Sequence, residues 1–325
     1  MTDVAAPAAV RVQDDRKDQT LHFLQNYGVY IAIVVLVAVN AFWTSDFLSL
    51  DNLRVQLFQV VPVLLVALGM ALVIGTEGID LSVGAVIALA SAFIPLYLGY
   101  GAGLTIVICL IAGAVSGVVS GAMVAFGQVQ PIVATLALMI GLRGVAVILN
   151  GASAKPVNDP FLDGLGLDSI LGIPKMAWIA LIIVLIVAFV VRRTTFGRQL
   201  VAIGDNRAAS QLAGLPVRRV LVSVYVISGV LAALAGVLIV GHGAEADPSN
   251  YGLNYELSAI TAVVVGGTPL TGGKVKVLGT VAGALLMQII SATLVQHNIA
   301  NSYAQMVEAV IICAAVYAAR GRGNR

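Results

Sequence analysis

Glu77 and Asp80 stand three residues apart in TEGIDLSVG (76–84), between two long apolar runs. A carboxylate in such a place can accept hydrogen bonds from the free amides at a helix start, or it can meet a solute or a gating partner. Asp80, followed by Ser82 and an apolar run, suits both uses, while Glu77 lies at the end of the preceding run, where water reaches it. Arg143 in IGLRGVAV and Glu308 in QMVEAVII also fall inside apolar stretches. An unpaired charge at the centre of a bilayer costs roughly 2.5–3.5 kcal/mol. Each is therefore expected to have a partner: Arg143 with Glu308, or Arg143 with Asp80.

Other chemistry-bearing patterns are missing. GTPLTGGKV (267–275) has the look of a phosphate-binding loop, but the position six before Lys274 is Thr268, and Val275 follows where Ser or Thr should hold magnesium. The three histidines, His22, His242 and His297, are scattered and read as interfacial residues, and no metal-ligand spacing is found. Cys109 and Cys313 lie in apolar runs and read as small hydrophobes. No catalytic residue, metal site or cofactor is expected in this chain. A net charge of +2 says little about partners, and no nucleic acid is expected among them.

The elements that must hold these residues are membrane helices. Of 325 residues, 59% are hydrophobic and 10% charged, whereas soluble domains carry about 25% charged residues. Runs of about 20 apolar residues cross a bilayer as helices. Ten segments are predicted, at 28–45, 55–75, 81–98, 104–126, 131–149, 176–191, 218–240, 256–270, 277–296 and 302–319, of which the third and eighth are short or interrupted. The expected class is an all-α polytopic membrane protein with one transmembrane domain over 28–319, a polar tail over 1–27 and a short tail over 320–325. The first tail is longer and more acidic than a signal-peptide n-region, so the first run is expected to be retained. Trp43 and Trp178 sit near segment ends, as interfacial anchors do. Gly113, Gly117 and Gly121, at four-residue spacing, predict a close helix crossing, as do Gly279 and Gly283. The two halves are loosely alike, GTEGIDLSVG matching VVVGGTPLTGG, which suggests an internal repeat with a pathway at its interface.

Arg192, Arg193, Arg198, Arg207, Arg218 and Arg219 crowd the connection of 192–217 and its edge, and Arg320, Arg322 and Arg325 follow the last segment. Both places lie an even number of crossings from the N-terminus, so both termini and this connection are expected in the cytoplasm. Within it, Asp205 or Asn206 can cap a helix of about two turns over RAASQLAG, with small residues Ala208, Ala209 and Ala213 and a stop at Gly214. Such a helix suits insertion into a groove of another protein, or it lies on the membrane as a plain connector.

GIDLSVG (78–84), VQPIVATLALMIGLRG (129–144), FGRQLVAIGDNRAASQLAGL (196–215) and YELSAITAVVVGGTPLTGGK (255–274) together resemble the permease family of bacterial ABC monosaccharide importers, which includes ribose, xylose, galactose and galactofuranose permeases. The resemblance implies a ten-helix subunit of the inner membrane that pairs with a second copy or a paralogue. A cytoplasmic ABC ATPase, which binds the ATP and magnesium, and an extracytoplasmic sugar-binding protein would complete the importer. It assigns coupling to the ATPase to Gly204, Asp205, Asn206, Ala208, Ala209, Leu212 and Gly214. Pathway or gating candidates are Asp80, Ser82, Arg143 and Glu308, while Asn254, Tyr255 and Glu256 are candidates to contact the binding protein. Two departures stand out: many relatives carry two glycines before IDLSVG where this chain has Glu77 and Gly78, and a lysine near the position of Glu308. An ion-driven secondary transporter or channel is the alternative, and it leaves the capped helix without a purpose.

Overall fold

The computed structural model describes residues 15–299 together with 302, 303, 305, 306, 309 and 310. The architecture is mostly helical. In chain order it comprises α1 (Asp15–Trp43), α2 (Leu50–Gly75), α3 (Val83–Tyr97) with a 3-10 turn (Leu98–Tyr100), α4 (Ala102–Ala125) and α5 (Pro131–Asn150). There follow β1 (Lys155–Pro156), α6 (Pro160–Gly166), β2 (Ser169–Ile170), β3 (Ile173–Pro174), α7 (Lys175–Arg193), α8 (Thr195–Asp205), α9 (Arg207–Leu212), α10 (Val217–Gly243), β4 (Glu245–Ala246), α11 (Tyr255–Val265) and α12 (Val277–Gln296).

Seven of these helices, α2, α3 with its 3-10 turn, α4, α5, α7, α10 and α12, are long and apolar enough to cross a membrane. Residues Gly28–Trp43 of α1 and all of α11 are apolar but shorter. Against the expected ten, the described residues hold seven such helices and two shorter ones; the segment predicted at 302–319, with Glu308 and Cys313, lies mainly outside them. This is a multi-pass membrane protein.

Sequence chemistry explains the helix limits. Ser49 accepts the Asn52 amide at 3.2 Å to start α2. Pro131 opens α5, where a missing amide hydrogen costs nothing, and Gly151 at φ 73° closes it. α2 and α10 form the enclosed centre, while α5 and α7 turn side chains such as Ile148 and Phe189 outward. In water such a surface would drive aggregation; against lipid it is the expected exterior.

The predicted glycine crossing is between α4 and α10. Gly113 lies on Gly229, Gly117 on the backbone of Tyr225 and Val226, and Gly121 on Val222, each too close to admit a Cβ without displacing backbone. Gly279 and Gly283 bring α12 onto Gly266 and Ala262 in the same way. Small residues let two backbones approach, which is how helices gain contact where lipid removes the hydrophobic drive.

The two short helices are related by reversal. α3 follows α2 and runs toward the end where α10 finishes, since Ile87 and Ala90 pack on Gly236. α11 follows α10 and runs toward the end where α2 finishes, since Gly273 beyond it donates its amide to the Gly75 carbonyl at 3.1 Å. Their starts meet, with Gly84 against the Gly252 carbonyl and the Glu256 carboxylate. β1 pairs antiparallel with β4, Lys155 opposite Ala246, and so ties the 151–174 linker to the return segment before α11.

Candidate functional site

The return segment between α2 and α3 is fixed from three sides. Asp80, 1% exposed, accepts the Ser82 amide at 3.1 Å and the Ser82 hydroxyl at 2.6 Å through Oδ1, and the Ser228 hydroxyl of α10 at 2.9 Å through Oδ2. Thr135 of α5 donates to the Ile79 carbonyl at 3.1 Å. The carboxylate therefore satisfies an amide at the start of α3 and also bridges to α10. The turn before it places Glu77 at φ 64°, where a residue without Cβ is least strained. Gly78 follows, and a Cβ there would crowd the Tyr225 hydroxyl.

Arg143 is not paired with Asp80. Its Nη1 donates to the carbonyls of Pro248 at 3.3 Å and Tyr251 at 3.4 Å, on the return segment before α11, and it feels the charge of Glu256. The reason is topological: α5 faces both return segments, and the one carrying Asp80 already spends its acceptors on serine hydroxyls. Glu308 lies outside the described residues. Asn254, Tyr255 and Glu256 occupy the start of α11, where Asn254 adopts φ 62°. Within the return segment Tyr251 donates to Glu245 at 3.4 Å, and burial together with that carboxylate pushes its phenol up to about 12.

At the arginine-rich end the chain forms two helices where one was predicted. Thr194 accepts the Gly197 amide at 3.3 Å and starts α8, whose Leu200, Ile203 and Gly204 face inward. Gly204 sits on the Gly75 carbonyl and the Gly273 amide, so it anchors this region to the ends of α2 and of the α11–α12 connection. Asp205 ends α8, and Asn206 is the cap of α9, accepting the Ala209 amide at 2.9 Å. Ser210 donates to the Ala202 carbonyl at 2.9 Å and folds α9 back on α8. Gly214, at φ 76°, ends it. Ala208 and Ala209 are exposed, and Leu212 is 91% exposed. A hollow of ≈ 280 Å³ lined by Glu77, Gln130, Arg207 and Tyr225 separates α9 from the Asp80 region. Tyr225 lies one turn from Ser228 on α10, and its hydroxyl has no partner among the described residues.

The loop 267–275 joins two helices, and its glycines serve packing: Gly272 and Gly273 lie against Gly204, Glu77 and Asp205. His242 stacks on Phe58 and His297 meets the Trp43 edge. Sequence reasoning missed Ser228 and Thr135, because a lone hydroxyl in an apolar run carries no spacing signal. It also missed Asn52, Gln56 and Gln59, whose intervals of four and three residues do mark a polar face of α2.

A family described as the branched-chain amino acid transport system / permease component matches residues 53–316. The chain belongs to this permease family. It is 37% identical to the ribose import permease protein of Haemophilus influenzae, over 93% of this chain and 95% of that one. It is 39% identical to the fructose import permease protein of Bifidobacterium longum, over 82% and 79%. It is also 39% identical to the galactofuranose transporter permease protein of Escherichia coli K12, over 77% and 74%. No solved structure matches. The four motifs that carried the resemblance all fall inside the matched span, and two of the permeases they pointed to, those for ribose and galactofuranose, are among the relatives found.

Proposed function

We propose that this permease is the membrane subunit of an ATP-binding-cassette importer that moves a monosaccharide or related polyol across the bacterial inner membrane, driven by ATP hydrolysis in separate subunits. The observation that carries the reading is α9. A capped helix of small residues ending in a nearly bare Leu212 stands at the arginine-rich end of a chain whose relatives are sugar-import permeases. An apolar side chain held clear of the chain's own core suits the groove of another protein.

In this reading both termini and α9 face the cytoplasm, following the arginines. Residues 206–214 dock on the ATPase, and Gly204 passes their movement to the ends of α2 and α11. The sugar-binding protein presents solute at the opposite end, and a second copy or a paralogue completes the subunit pair. ATP-driven closure then opens the path toward each side in turn. Asp80 holds the short helix α3 to α10 while this happens.

Purified permease, reconstituted with a partner ABC ATPase and a sugar-binding protein, should take up labelled ribose, fructose or galactose only when ATP is supplied. Removal of residues 206–214 should abolish that uptake while the protein still inserts. Full uptake by the deletion protein would refute the coupling assignment, and uptake without any ATPase would favour the ion-driven alternative.

A further inference from the structure

A cleft of ≈ 420 Å³ opens between α2, α11 and α12, within the ~300–1,000 Å³ typical of small-ligand sites. Its lining holds seven primary amides, including five of the chain's twelve glutamines, and no carboxylate, ammonium, guanidinium or imidazole among the described residues. On α2 the lining runs from Asn52 to Val63, a length of roughly 16 Å along the helix. The cleft thus starts at the end opposite the arginines and stops near mid-helix, where the remaining residues of α2 are buried. Its inner end includes Asn254 and Tyr255, the start of the short helix α11.

The amides are partly committed to one another. Gln288 donates through Nε2 to Gln56 at 2.8 Å and to Gln59 at 2.6 Å, and Gln296 donates to Asn52 at 2.9 Å. These bonds use the nitrogen of Gln288 and the oxygens of Gln56 and Gln59. The Gln288 oxygen and the Gln59 nitrogen are the halves they leave, one acceptor and one donor side by side. Ser291 adds a hydroxyl on the same face of α12.

We infer that this cleft is the outer half of the solute path and that it receives an uncharged polyhydroxy compound, whose hydroxyls are read by Gln59, Gln288 and Ser291. The inference rests on the importer reading and narrows it. A sugar hydroxyl both donates and accepts, so paired amide donors and acceptors meet it without any net charge. An ion path would call for carboxylates or rings of carbonyls, and an amino acid would bring a carboxylate and an ammonium for which this lining offers no counter-charge. The chain therefore divides from the amino-acid carriers in its family's description at the chemistry of this cleft.

The test uses the assembled importer in proteoliposomes. Gln59→Leu and Gln288→Leu should each lower the sugar moved per ATP hydrolysed about tenfold, the weight of one lost hydrogen bond. An unchanged ratio in both variants overturns the inference. Should leucine prevent accumulation of the protein, Ser291→Cys decides. A charged, membrane-impermeant thiol reagent should modify it, and ribose, fructose or galactose should slow that modification severalfold while leucine should not. Reaction with lipid-soluble maleimide alone, or protection by leucine and not by sugars, overturns it. A wild-type importer that moves no sugar would instead defeat the importer reading, and the labelling, which needs no turnover, would still judge the cleft.

Discussion

Asp80 accepts the hydroxyl of Ser228 at 2.9 Å, across 148 residues of sequence. The bond joins the start of α3 to the middle of α10 beside Gly69, which packs on Ser228 from α2. One carboxylate thereby ties a short helix to α10, which packs on α2 at Gly69. Asp80→Ala removes the acceptor for two buried hydroxyls and one amide. A loss of about 1–3 kcal/mol is expected, measured as a lower Tm in detergent. Asp80→Asn keeps an acceptor oxygen and should lose less. Asp80→Asn with normal Tm and no uptake would show that the charge acts on the path, and normal uptake would show that the residue is a tie.

The α4–α10 crossing has no slack. Gly117→Ala drives a Cβ into the Tyr225 carbonyl and Val226 backbone, whereas a Cβ on Gly141 of α5 meets nothing within 4 Å. Overpacking costs about 1–3 kcal/mol, while alanine at an open helical position gains roughly 0.5–1 kcal/mol over glycine. Gly117→Ala should reduce the amount of folded protein in membranes and its Tm. Gly141→Ala should match or exceed wild type. Equal behaviour of the two would refute the crossing.

Most of the architecture was legible because lipid reduces folding to apolar length, small-residue spacing and breaks. Gly113, Gly117 and Gly121 announced their crossing in this way, and the short third and eighth segments announced α3 and α11. Glu77 looked anomalous in sequence, and its φ of 64° is a backbone state that glycine adopts with least strain. The charge partners were not legible. Arg143 reaches carbonyls of a return segment more than a hundred residues away, and backbone acceptors leave no mark in side-chain types. α8 was hidden for another reason: its inward face is built from Leu200, Ile203 and Gly204 inside a segment whose arginines marked it as a connector.

Arg143 fixes the return segment that leads into α11 by two long hydrogen bonds to backbone. Arg143→Leu keeps bulk and removes both donors. Amide hydrogens of residues 247–254 should exchange roughly tenfold faster, the equivalent of about 1.4 kcal/mol of lost local stability. Exchange in α4 and α10 should stay unchanged. Asp80→Ala should spare this segment, because Asp80 is bonded to serines and not to Arg143. Faster exchange at 247–254 in the Asp80 variant would revive a link between them.

Two substitutions in α9 separate its shape from its surface. Leu212 is almost fully exposed among the described residues, so Leu212→Asp should leave Tm untouched. As an interface anchor it should cost about 2 kcal/mol or more of ATPase affinity, roughly thirtyfold. Asn206→Ala removes the cap bond to the Ala209 amide and should cost about 1 kcal/mol of helix stability. It should therefore weaken the ATPase less than Leu212→Asp, and Asn206→Ser should recover most of the loss, since serine caps nearly as well. Titration of detergent-solubilised permease with purified ATPase reads both effects. If Leu212→Asp binds as wild type while Asn206→Ala does not, the docking surface lies on another face of α9, and the exposed leucine meets something else.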